Sequence, residues 1–394
     1  MHACQALRCL SWCALLLVAG CTDASGGLLP DTTRTDRVVW KATDIRSPLS
    51  ASALAADSTH VFAYTSSQSI AAARLTDGRT AWTAASDEPG NIAAAPKGLT
   101  LCAGTVVFGS YIALYGVVPT TGARRWRWGP SNGGGFDTSY PVCADSTVYV
   151  GTAVRMRLYA VDARTGRERW WIDVGSKPNA NGFVATPAVT DGIVIGCTRE
   201  FTLPKTGMAI AVDAVTGRER WRYRWDAPPS SNGDASCALF VAAADGIVVI
   251  AADDGRLFGL DAQSGVLRWT APATGELAVR MRDERAITIT NGVVVAGSLT
   301  GIVVGVDLVT GRELWRTPVD DLTSMIDGLA SDAGQVVGVT QSGWALSYDA
   351  RTGTRQWTVK SSSVQNVRLF FDTGVLTKDL FIAVSPDALY ALRR

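Results

Sequence analysis

A thirteen-residue pattern recurs along this chain at a nearly fixed step. "LYAVDARTGRERW" ends at Trp170, and "AIAVDAVTGRERW" ends at Trp221. "LFGLDAQSGVLRW", "VVGVDLVTGRELW" and "ALSYDARTGTRQW" end at Trp269, Trp315 and Trp357, and the looser "IAAARLTDGRTAW" and "LYGVVPTTGARRW" end at Trp82 and Trp126. The steps from Trp to Trp are 44, 44, 51, 48, 46 and 42 residues. A period of this length restricts a chain to repeat architectures, whose units cannot bury their own faces and must stack on their neighbours.

Each copy alternates faces up to its turn, Leu158, Ala160 and Asp162 on one and Tyr159 and Val161 on the other in the copy at 158, which is the period of a strand. Asp-x-x-Thr-Gly follows. The Asp carboxylate can accept backbone amides ahead of it, and the Gly tolerates a left-handed backbone, so the segment reads as a hairpin with a bulge. The next strand carries the Trp. Between copies, "TPAVTDGIVIG" (186–196), "FVAAADGIVVIA" (240–251) and "AITITNGVVVAG" (286–297) place Asp-Gly or Asn-Gly between apolar runs, again a hairpin signal. One unit is therefore a four-stranded antiparallel meander of roughly 40–50 residues, the length of a propeller blade. The recurring Trp suits the wedge between adjacent blades, and its N–H needs an acceptor there.

The fold class expected is all-β, an eight-bladed propeller over residues 37–394. Seven copies are complete. "DALYALRR" (387–394) begins an eighth without its turn and Trp, and "DRVVWKATDI" (36–45) supplies a strand with Trp40, which lies 42 residues before Trp82. The N-terminal strand is expected to complete the last blade. The alternative is a seven-bladed ring with loose ends, which leaves two good strands unused.

Ahead of the repeat, "LRCLSWCALLLVAGC" (7–21) has an apolar run too short to span a bilayer and ends in small residues before Cys21. It resembles the lipobox of bacterial lipoproteins. Residues 1–20 are thus expected to be a signal peptide, Cys21 the lipid attachment site, and 21–36 a lipidated tether; an ordinary secretory signal is the alternative. The expected location is extracytoplasmic, anchored to the bacterial membrane. Thr22 follows, so no Asp stands there as a retention signal of the enterobacterial kind. Cys4, Cys9 and Cys13 leave with the leader, and Cys102, Cys143, Cys197 and Cys237 remain. Four cysteines in an exported chain allow three connectivities. Pairing by neighbours, Cys102 with Cys143 and Cys197 with Cys237, is preferred over buried free thiols. The net charge of +1 gives no reason to expect a nucleic-acid partner.

The repeat, Ala/Leu-x-Asp-x-x-Thr-Gly-x-x-x-Trp, resembles that of the pyrroloquinoline-quinone (PQQ)-like β-propellers. That family includes quinoprotein dehydrogenases and non-enzymatic lipoproteins, among them an outer-membrane barrel-assembly lipoprotein that this chain resembles in length and blade number. The dehydrogenase branch implies a vicinal disulfide, calcium ligands and an Asp or His base. This sequence has no Cys-Cys pair, no Cys-x-x-Cys-His for haem and one mature histidine, His60, while Glu168, Glu219 and Glu313 belong to the repeat turns. No catalytic or metal set is expected, and no cofactor; PQQ with calcium has no motif behind it. Binding is expected instead on the connections between blades. "GPSNGGGFDTSYP" (129–141), "SKPNANGFVATP" (176–187) and "PPSSNGDASC" (228–237) should emerge on one face, with Asn132, Asp137, Asn181, Asn232 and Asp234 as candidate polar contacts, although the same residues suit turns. "GELAVRMRDER" (275–285) adds Arg280, Arg282 and Arg285. The reading is a monomeric, lipid-anchored scaffold for envelope proteins, touching the membrane through its anchor alone. The rivals are a PQQ-dependent dehydrogenase and a small-ligand or glycan sensor at the channel mouth.

Overall fold

The structure is a computed structural model. It describes residues 37–46, 54–65, 69–85, 98–110, 112–130, 135–136, 139–153, 155–175, 181–200, 207–226, 236–271, 287–297, 301–319, 326–340, 343–360, 373–385 and 388–394. The leader, the tether with Cys21, and Asn132, Asp137, Asn232, Asp234, Arg280, Arg282 and Arg285 lie outside these residues.

Asp-Gly and Asn-Gly do at the first hairpin of a blade what their chemistry allows. Asp191 and Gly192 have φ of 46° and 75°, and Asn291 and Gly292 have 49° and 71°. Two successive positive φ values are the two-residue turn that matches strand twist. At the third hairpin the Gly166 amide donates to the Asp162 carbonyl at 2.8 Å, and the ladder shifts register between Ala160 and Val161. The same shift recurs at the equivalent hairpins, for instance between Ala211 and Val212 and between Gly259 and Leu260.

These hairpins build eight antiparallel sheets. Blades 1 to 7 span 54–85, 99–128, 142–173, 182–225, 237–271, 287–318 and 326–360. The eighth combines Thr373–Leu376, Leu380–Val384 and Leu389–Arg393 with the N-terminal strand Val38–Ala42, Trp40 facing Ala391. The fold is an eight-bladed β-propeller closed by strand pairing between the two ends of the chain.

The core is a set of seams rather than one centre. The second strand of a blade is buried along its length, as in Thr105–Gly109 and Ile247–Ala252. Its side chains meet those of the adjacent blade: Ile195 and Trp221 pack with Val248 and Phe258, and Trp40 and Ile382 with Val61 and Ala71.

Blade 4 departs from the four-strand plan. Its innermost strand is broken into Gly182–Val184 and Ala188–Thr190, both paired with Ile193–Glu200. Pro187 stands at the break and has no N–H to give the ladder. Cys197 lies inside that eight-residue strand, whose far half pairs with Gly182–Val184.

Candidate functional site

The first hairpins of the eight blades and the third hairpins of blades 1 to 7 emerge at one end, the turn face. The strand ends from which one blade leads to the next lie at the other end, the loop face. Asn181 is the one among the polar loop candidates that is described, and it is exposed.

The bases of these loops are held by an inner collar running from blade 1 to blade 5. The Tyr64 hydroxyl donates to the carbonyls of Gly98 and Gly109, at 2.9 and 2.8 Å, and accepts from the Gly109 amide at 3.0 Å. Burial pushes the Tyr64 hydroxyl far above its ordinary range, so it stays protonated and remains a donor. Gly98, with φ of 75°, lies against Tyr140 and Pro141; a Cβ there would come within 2.6 Å of the Tyr140 backbone. The Tyr140 amide donates to Thr186 Oγ1 at 3.0 Å, and Thr186 forms a parallel bridge with Phe240 in blade 5. Ser139 Oγ accepts from the Gly151 amide at 2.9 Å, and Gly135 O accepts from Ala153 at 2.8 Å.

The same half of the ring is covalently stapled. Cys102 of blade 2 is bonded to Cys143 of blade 3, and Cys197 of blade 4 to Cys237 of blade 5. Between blades 4 and 5, Arg199 also pairs with Asp253 at 2.7 Å, and its guanidinium stands 5.8 Å from the Phe183 ring. Arg256 binds Asp254 at 2.6 Å and the Asp226 carbonyl at 2.6 Å, which ties down the start of the 228–237 connection. The arrangement ties together the described ends of the three connections at 129–141, 176–187 and 228–237.

The eight Trp residues sit where successive blades meet. Trp126 Nε1 donates to Ala163 O at 3.0 Å, Trp221 to Ala262 O at 2.8 Å and Trp269 to Leu308 O at 2.9 Å. Trp40, Trp82, Trp170 and Trp315 donate likewise to Leu75, Pro119, Ala214 and Ala350. Each acceptor belongs to the third hairpin of the next blade, and the Gly of that hairpin is the floor under the ring. A Cβ on Gly311 would come within 2.6 Å of Trp269, and one on Gly166 within 2.6 Å of Trp126. Trp357 has no such turn to meet, because the outer strand of blade 8 comes from the N-terminal segment. Its buried N–H has no acceptor among the described residues, and the Arg37 guanidinium lies 5.3 Å from its ring instead.

Two features of this joint were missed in the sequence. The turn Gly faces the preceding blade's Trp. The residue opposite each Trp on its own sheet is small: Ala391, Ala72, Gly116, Ala160, Ala211, Gly259, Gly305 and Ser347. The signal was present, since for the seven complete copies that small residue lies ten positions before the Trp.

The innermost strands present side chains such as Ala55, Thr100, Val142, Thr190, Ala243, Thr288 and Ala330, and among the described residues no group of three His, Cys, Asp or Glu could hold a metal. His60 opens the second strand of blade 1, its Nδ1 2.8 Å from the neighbouring Thr59 hydroxyl. A crevice of 220 Å³ lined by Ala84, Phe108, Tyr115, Val117 and Arg124 lies at the outer seam of blades 1 and 2.

A family model described as "Outer membrane protein assembly factor BamB" matches residues 21–129, 113–235 and 198–394. The chain belongs to this family. Its relatives include the outer membrane protein assembly factor BamB of Yersinia pestis, 26% identical over 218 residues, which are 54% of this chain and 50% of the relative. The chain thus matches about half the length of that BamB. The quinohemoprotein alcohol dehydrogenase ADH-IIG of Pseudomonas putida is 31% identical over 144 residues, but these are 34% of this chain and 19% of the enzyme. Among solved structures, BamB from Moraxella catarrhalis superposes with a TM-score of 0.60 over 86% of this chain and 92% of its own, at 17% identity, a likeness of fold.

Proposed function

We propose that this BamB-family propeller is a protein-binding module of the cell envelope that serves outer-membrane protein assembly, held to the membrane by a lipid on Cys21. The observation that carries the reading is the family match, which extends over all eight blades. The stapled base of blades 2 to 5 supports the loop face as the docking surface: ordering costs at an interface fall when the loops start from fixed points.

The test is co-purification from envelopes of the source cells. Replacing 228–235 and 176–181 with Gly-Ser segments should abolish association with the outer-membrane assembly machinery while the melting temperature holds. Association that survives both replacements would sink the loop-face reading. Cys21→Ser should leave the protein unlipidated and released by a high-salt wash; a processed variant still on the membrane would contradict the anchor. Dye reduction by the purified protein with calcium and PQQ would favour the dehydrogenase instead.

A further inference from the structure

Blade 3 has two tryptophans in succession, and the repeat accounts for the first alone. Trp170 is the joint to blade 4. Trp171 stands on the other face of the sheet, toward blade 2, and is 44% exposed, the one exposed aromatic side chain among the described residues. At its position the other blades carry Thr, Arg or Lys, as at Thr83, Arg127 and Lys41.

The ring does not stand alone. Its centroid is 6.5 Å from that of Tyr159, its partner on the next strand. Tyr159 is 5.2 Å from Trp128 of blade 2, and Trp128 is 5.9 Å from Phe136. The four rings make one continuous aromatic wall in the groove where blades 2 and 3 part. The three places held here by Trp128, Tyr159 and Trp171 recur at every seam, and no other seam has an aromatic at all three. The seam of blades 4 and 5 comes nearest, with Tyr223 and Phe258, but has Thr270 at the third. Breaks of a repeat's own rule without local gain concentrate at functional positions.

One face of the Trp171 ring is already taken. The Arg157 guanidinium lies 3.8 Å from the ring centroid, and its side chain is 10% exposed, so solvent reaches the indole from the opposite face. Arg157 Nε donates to Asp173 Oδ1 at 2.8 Å. Asp173 is two residues from Trp171 on one strand and therefore shares its face. Its side chain is 60% exposed, and its Oδ2 has no hydrogen-bond partner among the described residues. The groove thus offers a held, flat apolar ring beside an open carboxylate oxygen, with the carboxylate's charge balanced by the guanidinium beneath.

We propose that this groove is a carbohydrate subsite, which takes a neutral sugar ring of gluco configuration, as in a β-linked glycan chain. Such a ring carries its hydroxyls around its edge and shows C–H groups on each face. The C–H face lies on the indole, whose π face is electron-rich, and an edge hydroxyl donates to Asp173 Oδ2. The same carboxylate disfavours an acidic sugar. A protein is a poor occupant, because a stable protein interface covers ~800 Å² per partner and the surface here is the open face of one indole. A bilayer is a poor one too, since binding to anionic lipid uses cations and the open group here is a carboxylate. The subsite lies on the outer strand of blade 3, goes beyond the protein-binding reading and does not rest on it.

The test is calorimetric titration of the full propeller with cellotetraose and with N-acetylated chitotetraose, and with tetragalacturonate as the acidic control. At least one neutral oligosaccharide should bind saturably and shield the protein's Trp fluorescence from acrylamide, and tetragalacturonate should not. Trp171→Ala should weaken binding by at least about tenfold, and Trp171→Phe, which keeps a flat ring, should retain more of the affinity. Asp173→Ala, at an exposed position, reads the same site through its polar half and should also weaken binding. Absence of saturable binding by both neutral oligosaccharides, equal binding of tetragalacturonate, or an affinity unchanged in Trp171→Ala would overturn the proposal. So would flotation of the propeller with phosphatidylglycerol vesicles that Trp171→Ala abolishes.

Discussion

At the scale of single residues, the joint between blades is a Trp, the Gly beneath it and the small residue opposite. Trp269 is 7% exposed, contacts Gly311 of the next blade and faces Gly259 of its own. Removing a buried aromatic costs ~3–5 kcal/mol, a large part of a typical stability of ~5–15 kcal/mol. Trp269→Ala should lower the melting temperature clearly. Gly311→Ala should also destabilise, for two reasons that can be separated. Its φ of 70° is costly for any side chain, and its Cβ would come within 2.6 Å of Trp269. In a Trp269→Ala background the second cost disappears. Gly311→Ala should therefore destabilise the parent more than the Trp269→Ala variant, as read by denaturant unfolding of the four proteins. Equal costs in both backgrounds would mean that Gly311 and Trp269 are not one joint.

At the scale of the element, the third hairpin is organised by its Asp. The Arg169 guanidinium and the Thr165 hydroxyl and amide hold Asp162 down to about 2. Arg220 and Thr216 hold Asp213 well below the usual carboxylate range, and Arg268 and Ser264 do the same for Asp261. Asp307 and Asp349 are lowered through Thr310 and Thr352; Leu314 and Gln356 stand where blades 3 to 5 have that Arg. A carboxylate lowered in the folded state stabilises it above the unfolded pKa of about 4, and that contribution is lost as pH falls through the folded value. The melting temperature should fall between about pH 4 and pH 2, and Asp162→Asn should flatten the fall while lowering stability at neutral pH. An acid limb as steep in a variant with Asp162, Asp213 and Asp261 all changed to Asn would assign the effect elsewhere.

These hairpins were legible in the sequence because their chemistry is local: Asp-x-x-Thr-Gly and Asp-Gly each dictate a turn within five residues. The closing strand at Val38–Ala42 was legible because its Trp kept the period. The split inner strand of blade 4 was not: Pro187 marks the break, but the Tyr140 amide that Thr186 accepts beside it comes from 46 residues earlier. The collar from Tyr64 to Phe240 escaped for the same reason: its contacts join residues of different blades whose types, Tyr, Gly and Thr, carry no pattern of their own. Of the candidate loop residues, Asn181 is placed at the surface, and the others lie outside the described residues.

At the scale of the whole molecule, the ring is uneven. Blades 2 to 5 carry both disulfides and most of the collar, whereas the closure lies between Val38–Ala42 and Leu389–Arg393, held by strand pairing and by Arg37, which donates to the carbonyls of Arg393 and Arg394 at 3.2 Å each. Deleting residues 36–45 would leave Leu389–Arg393 as an unpaired edge and Trp357 without its covering guanidinium. Loss of cooperative melting and growth of aggregates should follow, measured by calorimetry and light scattering. A deletion variant that stays monomeric and melts like the parent would show that the closing strand contributes little.

The placement of the Trp joint also bears on how such a ring grows. Each indole but Trp357 belongs to one blade and its socket to the next, so a stretch of one period within blades 1 to 7 holds one socket and one indole, wherever it is cut. A tandem duplication of that stretch delivers a socket for the indole upstream and an indole for the socket downstream. Neither new boundary has to be refitted. Blade number in this lineage can therefore change by whole-unit copying, with selection left to work on the connecting loops.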